Sequence, residues 1–460
     1  MPFRRISCLA LALSGVLTGL FPGSAKADES NDVQSSRQPI DVESVRVPVR
    51  LLLADSNALA TWLGRRNPDL MAARARVEQA EAGIHQSRVI PNPTLSLGIS
   101  ASPSPAPAGP GGPDVSVADT INYSIGLSET VELGKRGPRA RAAVLRRDAA
   151  RAATSDVLAD RLANARDALA RIVYLAERGH VLEERLRSAR HVAELEHVRL
   201  EHGDISGIDQ DRLELDAAAV ARGLADNQVD LQSAVADCSA LLVGSCWPMD
   251  AAMDSIDSAA PTPETFASLD ALIRARPDVR ATLLASSAAK SDAVYYRRHA
   301  IPDPTFGVAY TRDYYALAGN QPYMLTATAS VPLPFFDHGQ HLARTAEGQA
   351  TELSMQARAL ETRAAADARS LLVRRNVLRD KLETLSKLAI PRADEVLRSS
   401  EDAYHHGQLS LTDLLLVRRE HASLLLDALD TRYELFLVRN TLYRTLGLGV
   451  LESAAASSSN

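Results

Sequence analysis

A short turn written twice constrains the architecture of this 460-residue chain more than any other feature. His202-Gly203-Asp204-Ile205-Ser206-Gly207-Ile208-Asp209 and His406-Gly407-Gln408-Leu409-Ser410-Leu411-Thr412-Asp413 carry glycine, serine and aspartate at matching steps, about 204 residues apart. Each copy follows one long helical pattern and precedes another. Gly203 and Gly407 end the first helix of each pair; Ser206 and Ser410, three residues before an aspartate, open the second. That is a tight helical hairpin with N-cap chemistry. Two such hairpins mean an internal duplication.

The remaining punctuation is doubled as well. Asn67-Pro68-Asp69-Leu70 is echoed by Arg276-Pro277-Asp278-Val279, and Pro91-Asn92-Pro93 by Pro302-Asp303-Pro304. The pattern predicts helices over about residues 56–88, 134–200 and 209–242 in the first copy. In the second it predicts helices over 265–299 and 338–404, the latter bent at Pro391, and a last one reaching Leu446. Arg4 and Arg5, an apolar run from Leu9 to Phe21 and Ala25-Lys26-Ala27 predict a secretion signal over 1–27. The expected organisation is then an extended segment 28–55, a first repeat 56–243, a linker 244–264, a second repeat 265–449 and a disordered tail 450–460.

Between helices the apolar period changes from 3.6 to 2. Leu95, Leu97 and Ile99 alternate with Thr94, Ser96, Gly98 and Ser100, and Tyr123, Ile125 and Leu127 with Asn122, Ser124, Gly126 and Ser128. The second copy repeats this with Phe306, Val308 and Tyr310, then with Leu325, Ala327, Ala329 and Val331. Strands are expected over about 92–100, 120–132, 304–314 and 323–334, long enough to cross a bilayer when tilted. Their polar faces are mostly Ser, Thr, Asn and Gly, as a hydrated barrel lumen requires. Of 20 aromatics in the chain, eight fall within 91–132 and 302–338, where an interfacial belt would lie. A pair of half-buried hairpins in a soluble domain is the competing reading. Four strands cannot close a membrane barrel alone, and open edges are forbidden in lipid, so the membrane reading obliges oligomerisation.

The helices carry narrow apolar seams, such as Leu371, Leu378, Leu382, Leu385 and Ala389, or Leu425, Leu429, Tyr433, Phe436 and Tyr443, which predict coiled-coil-like packing. Without the signal the chain has 48 basic against 57 acidic residues, which argues against nucleic acid as a partner. Beyond the signal only Cys238 and Cys246 remain. A bridge between them needs the helix to break near Gly244, because eight residues of continuous helix is about 12 Å. The sequence leaves a bridge and free thiols both open. His405-His406, His338 with His341, and His191, His197 and His202 form no metal-binding motif, and Glu183-Glu184 suits a solvated helix. No phosphate loop, dinucleotide fingerprint or catalytic constellation is present, so no enzyme, resident metal or cofactor is expected.

With these residues assembled, the chain resembles the TolC-type outer-membrane efflux channels over nearly its whole exported length. Asn67-Pro68-Asp69-Leu70, Pro91-Asn92-Pro93-Thr94-Leu95 and above all Tyr404-x-x-Gly407-x-x-Ser410-x-x-Asp413 carry the likeness. Val131-Glu132-Leu133-Gly134-Lys135-Arg136 and Pro332-Leu333-Pro334-Phe335-Phe336-Asp337 look like the CzcC-type subgroup serving heavy-metal efflux. The resemblance implies a mainly α fold with a membrane β part: a homotrimer whose chains each give four strands to a twelve-stranded barrel in outer-membrane lipid, above a long α-helical periplasmic tunnel. It implies a passive duct served by a periplasmic adaptor and an inner-membrane RND-type pump. Divalent heavy-metal cations are the expected substrates, with multidrug export or type I secretion as the alternative within the fold. A soluble periplasmic coiled-coil adaptor is the alternative outside it. The hairpin tips would form the inner constriction, with Asp413 and Asp209 lining it and Tyr404 holding it closed. The chain departs from the family's archetype in having Leu409 in place of an arginine and Leu416 in place of a second aspartate. The same ionic network is therefore not available, and an apolar contact is expected in its place.

Overall fold

A computed structural model describes residues 45–101, 121–202, 205–247, 253, 254, 256, 269–312 and 323–448. The expected signal, the 450–460 tail and Gly203 lie outside these residues.

The expected 56–88 helix is two helices, and a third precedes it: α1 (Val49–Ala54), then α2 (Ser56–Arg66) and α3 (Pro68–Arg88). Asp55 caps α2 by accepting the Asn57 and Ala58 amides, and Asn67 caps α3 by accepting those of Asp69 and Leu70. Each cap residue has extended backbone, and Pro68 brings no N–H to continue a helix, so the break is written locally. Helix α1 also replaces part of the segment expected to be extended. The same proline logic splits the expected 265–299 helix into α6 (Leu269–Arg274) and α7 (Pro277–Arg297). Helices α3 and α7 are both 21 residues long.

Strands β1 (Thr94–Ser100), β2 (Asn122–Thr130), β3 (Thr305–Arg312) and β4 (Tyr323–Ser330) form one antiparallel sheet in sequence order. The fourth strand ends at Ser330 instead of 334, because Pro332 and Pro334 offer no ladder donors. Register aligns the apolar rows across all four strands. Leu95 faces Leu127, Val308 and Ala327 in turn, and Leu97 faces Ile125, Tyr310 and Leu325. The opposite face carries Ser96, Gly126, Ala309 and Thr326 in one row. A Cβ on Gly126 would sit 2.7 Å from the Ser96 hydroxyl and 3.3 Å from the Ala309 Cβ, so a side chain there would have to displace the Ser96 hydroxyl. The apolar face is open: Leu97 is 73% and Leu325 74% exposed. A sheet with apolar residues outside and small polar ones inside is what a lipid-embedded wall requires. Among the described residues no helix is long and apolar enough to cross a membrane.

From the sheet descend α4 (Arg136–Glu201) and, in the second repeat, α8 (Gln340–Thr384) followed by α9 (Ile390–His405). Both descents cover 66 residues, one unbroken and one interrupted. The interruption is a five-residue π-helical turn, Leu385–Ala389, immediately before Pro391. The proline ring would collide with the carbonyl of residue 387 in regular helix, and the wider turn removes that contact. Helices α5 (Gly207–Leu242) and α10 (Leu411–Thr445) return from the tips.

Two packing styles hold the tunnel wall. Near the sheet, α8 presents Ala343, Ala346, Ala350, Ala357, Ala364 and Ala368, all buried, so its backbone approaches α7 closely enough for the Ser286 hydroxyl to donate to the Ala350 carbonyl at 2.7 Å. Lower down, bulky residues interlock: Leu378 with Leu435 and Val438, and Tyr174 stacked on Tyr433 at 4.4 Å. A collar core gathers α1, α2, the middle of α4 and the end of α5 around Leu59, Leu63, Leu169 and Ile172. Cys238 and Cys246 lie inside it, fully buried and disulfide-bonded, with Cα atoms 6.0 Å apart. The helix does break, with Val243 in left-handed backbone, and Ser245 then pairs with the strand-like Val45–Val47 segment. Met253 and Ile256, in the expected linker, are buried in the same core.

Candidate functional site

Each hairpin tip is fixed by its own sequence. At the second, Gly407 takes positive φ, its amide donates to Tyr404 O and the Gln408 amide to Ala403 O, a Schellman closure. Ser410 then caps α10: its hydroxyl accepts the Asp413 amide and donates to the Asp413 carboxylate at 2.6 Å. At the first tip Ser206 and Asp209 make the same pair of bonds, the carboxylate contact being 2.8 Å. The serines are therefore the caps, and each aspartate, in the first turn of its helix, holds the capping hydroxyl. His202 and His406 also match, each donating Nδ1–H to the carbonyl four residues back, Val198 at 2.7 Å and Asp402 at 2.8 Å. They close the last helical turns. Among the described residues, no group of three or more His, Cys, Asp or Glu is arranged to hold a metal.

The tips differ in charge. Asp209 is half-buried and pairs with Arg212 at 3.3 Å; Arg212 also reaches across to the Thr412 hydroxyl at 3.3 Å. In the second repeat the residue three beyond Asp413 is Leu416, which is 66% exposed. No cation stands within ion-pair distance of Asp413 among the described residues, so its carboxylate faces solvent with only Ser410 on it.

Tyr404 joins the hairpins. Arg199 of α4 donates to its hydroxyl at 3.4 Å and lies over its ring, while holding Glu196 at 3.1 Å. Burial, followed by the charge of Glu196, pushes the Tyr404 hydroxyl up to about 12, with Arg199 opposing. It stays a neutral donor and acceptor. Beside it an apolar cluster of Leu213, Leu411 and Leu415 is covered by Val192 and Ala193. Within the chain, then, the apolar contact between hairpins is made by these residues, while Leu409 is half-buried and Leu416 points outward. An ionic and aromatic contact persists next to it through Glu196, Arg199 and Tyr404. A cleft of about 580 Å³ between the tips is lined by Arg199, Asp209, Tyr404 and Leu409. Glu196, Arg199 and Arg212 escape motif reading, because each looks like an ordinary helix-surface charge. Arg212 is legible only when the two repeats are aligned, where it stands opposite Leu416.

A duplicated chain with an apolar-faced four-stranded sheet and two 66-residue helical descents ending in matched hairpins has the architecture of an outer-membrane efflux channel. The chain belongs to the family described as outer membrane efflux protein, whose model matches residues 63–242 and 269–448, one match per repeat. It is 26% identical over 423 residues to the cobalt-zinc-cadmium resistance protein CzcC of Cupriavidus metallidurans, covering 89% of this chain and 92% of that one. Among solved structures, CusC superposes with a TM-score of 0.72 at 19% identity, covering 85% of this chain and 92% of that one. VceC of Vibrio cholerae gives 0.68 at 18% identity, with coverage of 85% and 96%. The protein is an outer-membrane channel with a periplasmic extension, and not an enzyme.

Proposed function

We propose that three copies of this chain form the exit duct of a tripartite RND-type efflux system for divalent heavy-metal cations, delivered by a periplasmic adaptor and an inner-membrane pump. The likeness to a cobalt-zinc-cadmium resistance protein supports the cargo class. The observation that carries the reading is the uncompensated Asp413. Three such carboxylates around one axis concentrate cations and repel anions at the inner mouth. Asp209, neutralised by Arg212, serves the hairpin itself. Tyr404 with Arg199 holds the two hairpins together in the closed state, and Leu409 and Leu416 line the same mouth.

The test of the cargo is growth of a strain lacking only this chain on zinc, cobalt, cadmium, nickel, copper and a panel of antibiotics. Sensitivity confined to divalent metals, restored by the wild-type chain, is the expected result. Sensitivity confined to antibiotics would replace metal by drug export.

A further inference from the structure

The mouth of the tunnel is acidic, but the shoulder beneath the membrane sheet is basic. A groove of about 750 Å³ runs between the start of α4 and the end of α7, lined by Pro138, Arg141, Leu145, Lys290, Val294 and Arg298. No carboxylate lines it. Arg298 donates to the Gly134 carbonyl at 2.5 Å, which anchors its guanidinium at the rim and leaves its charge uncompensated. Arg141 and Lys290 are exposed and have no ion-pair partner among the described residues. The neighbouring groove between α3 and α4 is different: there Arg139 is paired with Glu132 at 2.6 Å, and Arg146 with Asp292. Asp292 of α7 is thus already taken by Arg146, and the lining of the α4–α7 groove itself holds only cations among its charged groups.

The height of the groove matters as much as its charge. Arg141 lies five residues into α4, and Arg298 seven residues before Thr305 opens β3. Lys290 is two turns below Arg298, roughly 12 Å along the helix. Each polar layer of a bilayer is only about 5–8 Å thick outside the hydrocarbon. Exposed Ile301 lies three residues above Arg298, about 6 Å in 3₁₀ geometry, so with Ile301 against hydrocarbon Arg298 stands at headgroup level and Lys290 below it. Above them Val131, Leu133 and Ile301 are more than 40% exposed, offering apolar surface on the membrane side of the cations.

We propose that this groove is a binding site for an anionic phospholipid of the inner leaflet. Arg141, Lys290 and Arg298 hold the headgroup phosphate, and an acyl chain lies along Val131, Leu133 and Ile301. The proposal rests on the outer-membrane placement of the chain and not on its cargo, so it stands or falls apart from the metal reading.

The experiment uses the full-length protein, purified in neutral detergent as its native oligomer. Its thermal midpoint is followed while dioctanoyl phosphatidylglycerol, dioctanoyl phosphatidylcholine or inorganic phosphate is added at matched ionic strength, and bound lipid is counted by native mass spectrometry. Phosphatidylglycerol should raise the midpoint and be retained, and the other two should do neither. The variant Arg141→Gln/Lys290→Gln should keep the lipid-free midpoint and bind phosphatidylglycerol roughly tenfold more weakly, as loss of two charge-assisted contacts implies. If the double variant fails to assemble, Lys290→Gln alone should weaken binding several-fold. Equal protection by inorganic phosphate would make the groove a free-anion site, and equal protection by phosphatidylcholine would make the contact purely apolar. Either result, or unchanged binding in the variants, overturns the proposal.

Discussion

The two hairpin tips share a backbone and differ in charge. Both close with a serine cap locked to an aspartate, and both end the preceding helix with a histidine bonded to a carbonyl one turn back. Duplication kept what the fold requires. What diverged is the position three residues after the aspartate, Arg212 in one copy and Leu416 in the other. The first tip spends its acid on its own helix and on a bridge to Thr412; the second leaves its acid to the aqueous mouth. Equivalent residues in a duplicated fold need not share a role, and the neighbour one turn along decides which role each takes.

The largest expected effect comes from making the second tip like the first. Leu416→Arg places a guanidinium one turn from Asp413, as in the Asp209–Arg212 pair, and should bring the reversal potential in a planar bilayer under a KCl gradient to less than about half of the wild-type value. A wild-type reversal potential in that variant would remove Leu416 from the account. The collar is next. With Cys238 and Cys246 only eight residues apart, breaking their bond by Cys246→Ala should cost about 2–3 kcal/mol, read as a lower unfolding midpoint in denaturant. The first repeat should lose more than the second, since the buried core around the bond comes mostly from α1, α2, α4 and α5, with only Leu429 and Phe436 from α10; equal loss would show that the two repeats unfold together.

A smaller effect concerns pH. Burial pushes the Asp167 carboxyl up to about 6, against the hydrogen bond from Asn440. Because its folded value lies above the ordinary 3.8, the folded state binds a proton that the unfolded state has already released. Stability should therefore fall as pH rises from about 4 to about 6, and level off above that. Asp167→Asn should flatten this window and add roughly 1–2 kcal/mol at pH 7. An unchanged slope would show that the carboxyl is solvated. The smallest effect is that of Tyr404→Phe, which removes one hydroxyl contact to Arg199 at the joint between the hairpins. It should cost about 0.5–1 kcal/mol of stability and raise the frequency of channel openings. No change in opening would leave the joint to Leu213, Leu411 and Leu415.

Much of this is legible in the sequence. The period-2 rows place Leu95, Leu97 and Ile99 on one face of β1, and the register extends that face through β4. The repeated Ser-x-x-Asp locates both tips, since capping is a local interaction between residues three apart. The breaks at Asn67-Pro68 and Arg276-Pro277 are written in the same local terms, but the apolar pattern carries on across them and predicts continuous helix. Pro391 predicts a bend where the chain forms a π turn, because proline marks where the helix is strained without saying how the strain is relieved. The alanine row of α8 carries no signal of its own in the sequence, since a small residue signals close packing only when its partner is known. At the tips, Arg199 and Glu196 meet Tyr404 across 205 and 208 residues of sequence, a distance over which single-chain pattern reading has no purchase.

The asymmetry of the tips is tested most directly by comparing Asp413→Asn with Asp209→Asn in the same bilayer recording. The account predicts that Asp413→Asn abolishes most of the cation selectivity while Asp209→Asn leaves the reversal potential near wild type. Equal loss in the two variants, or no loss in Asp413→Asn, would contradict it.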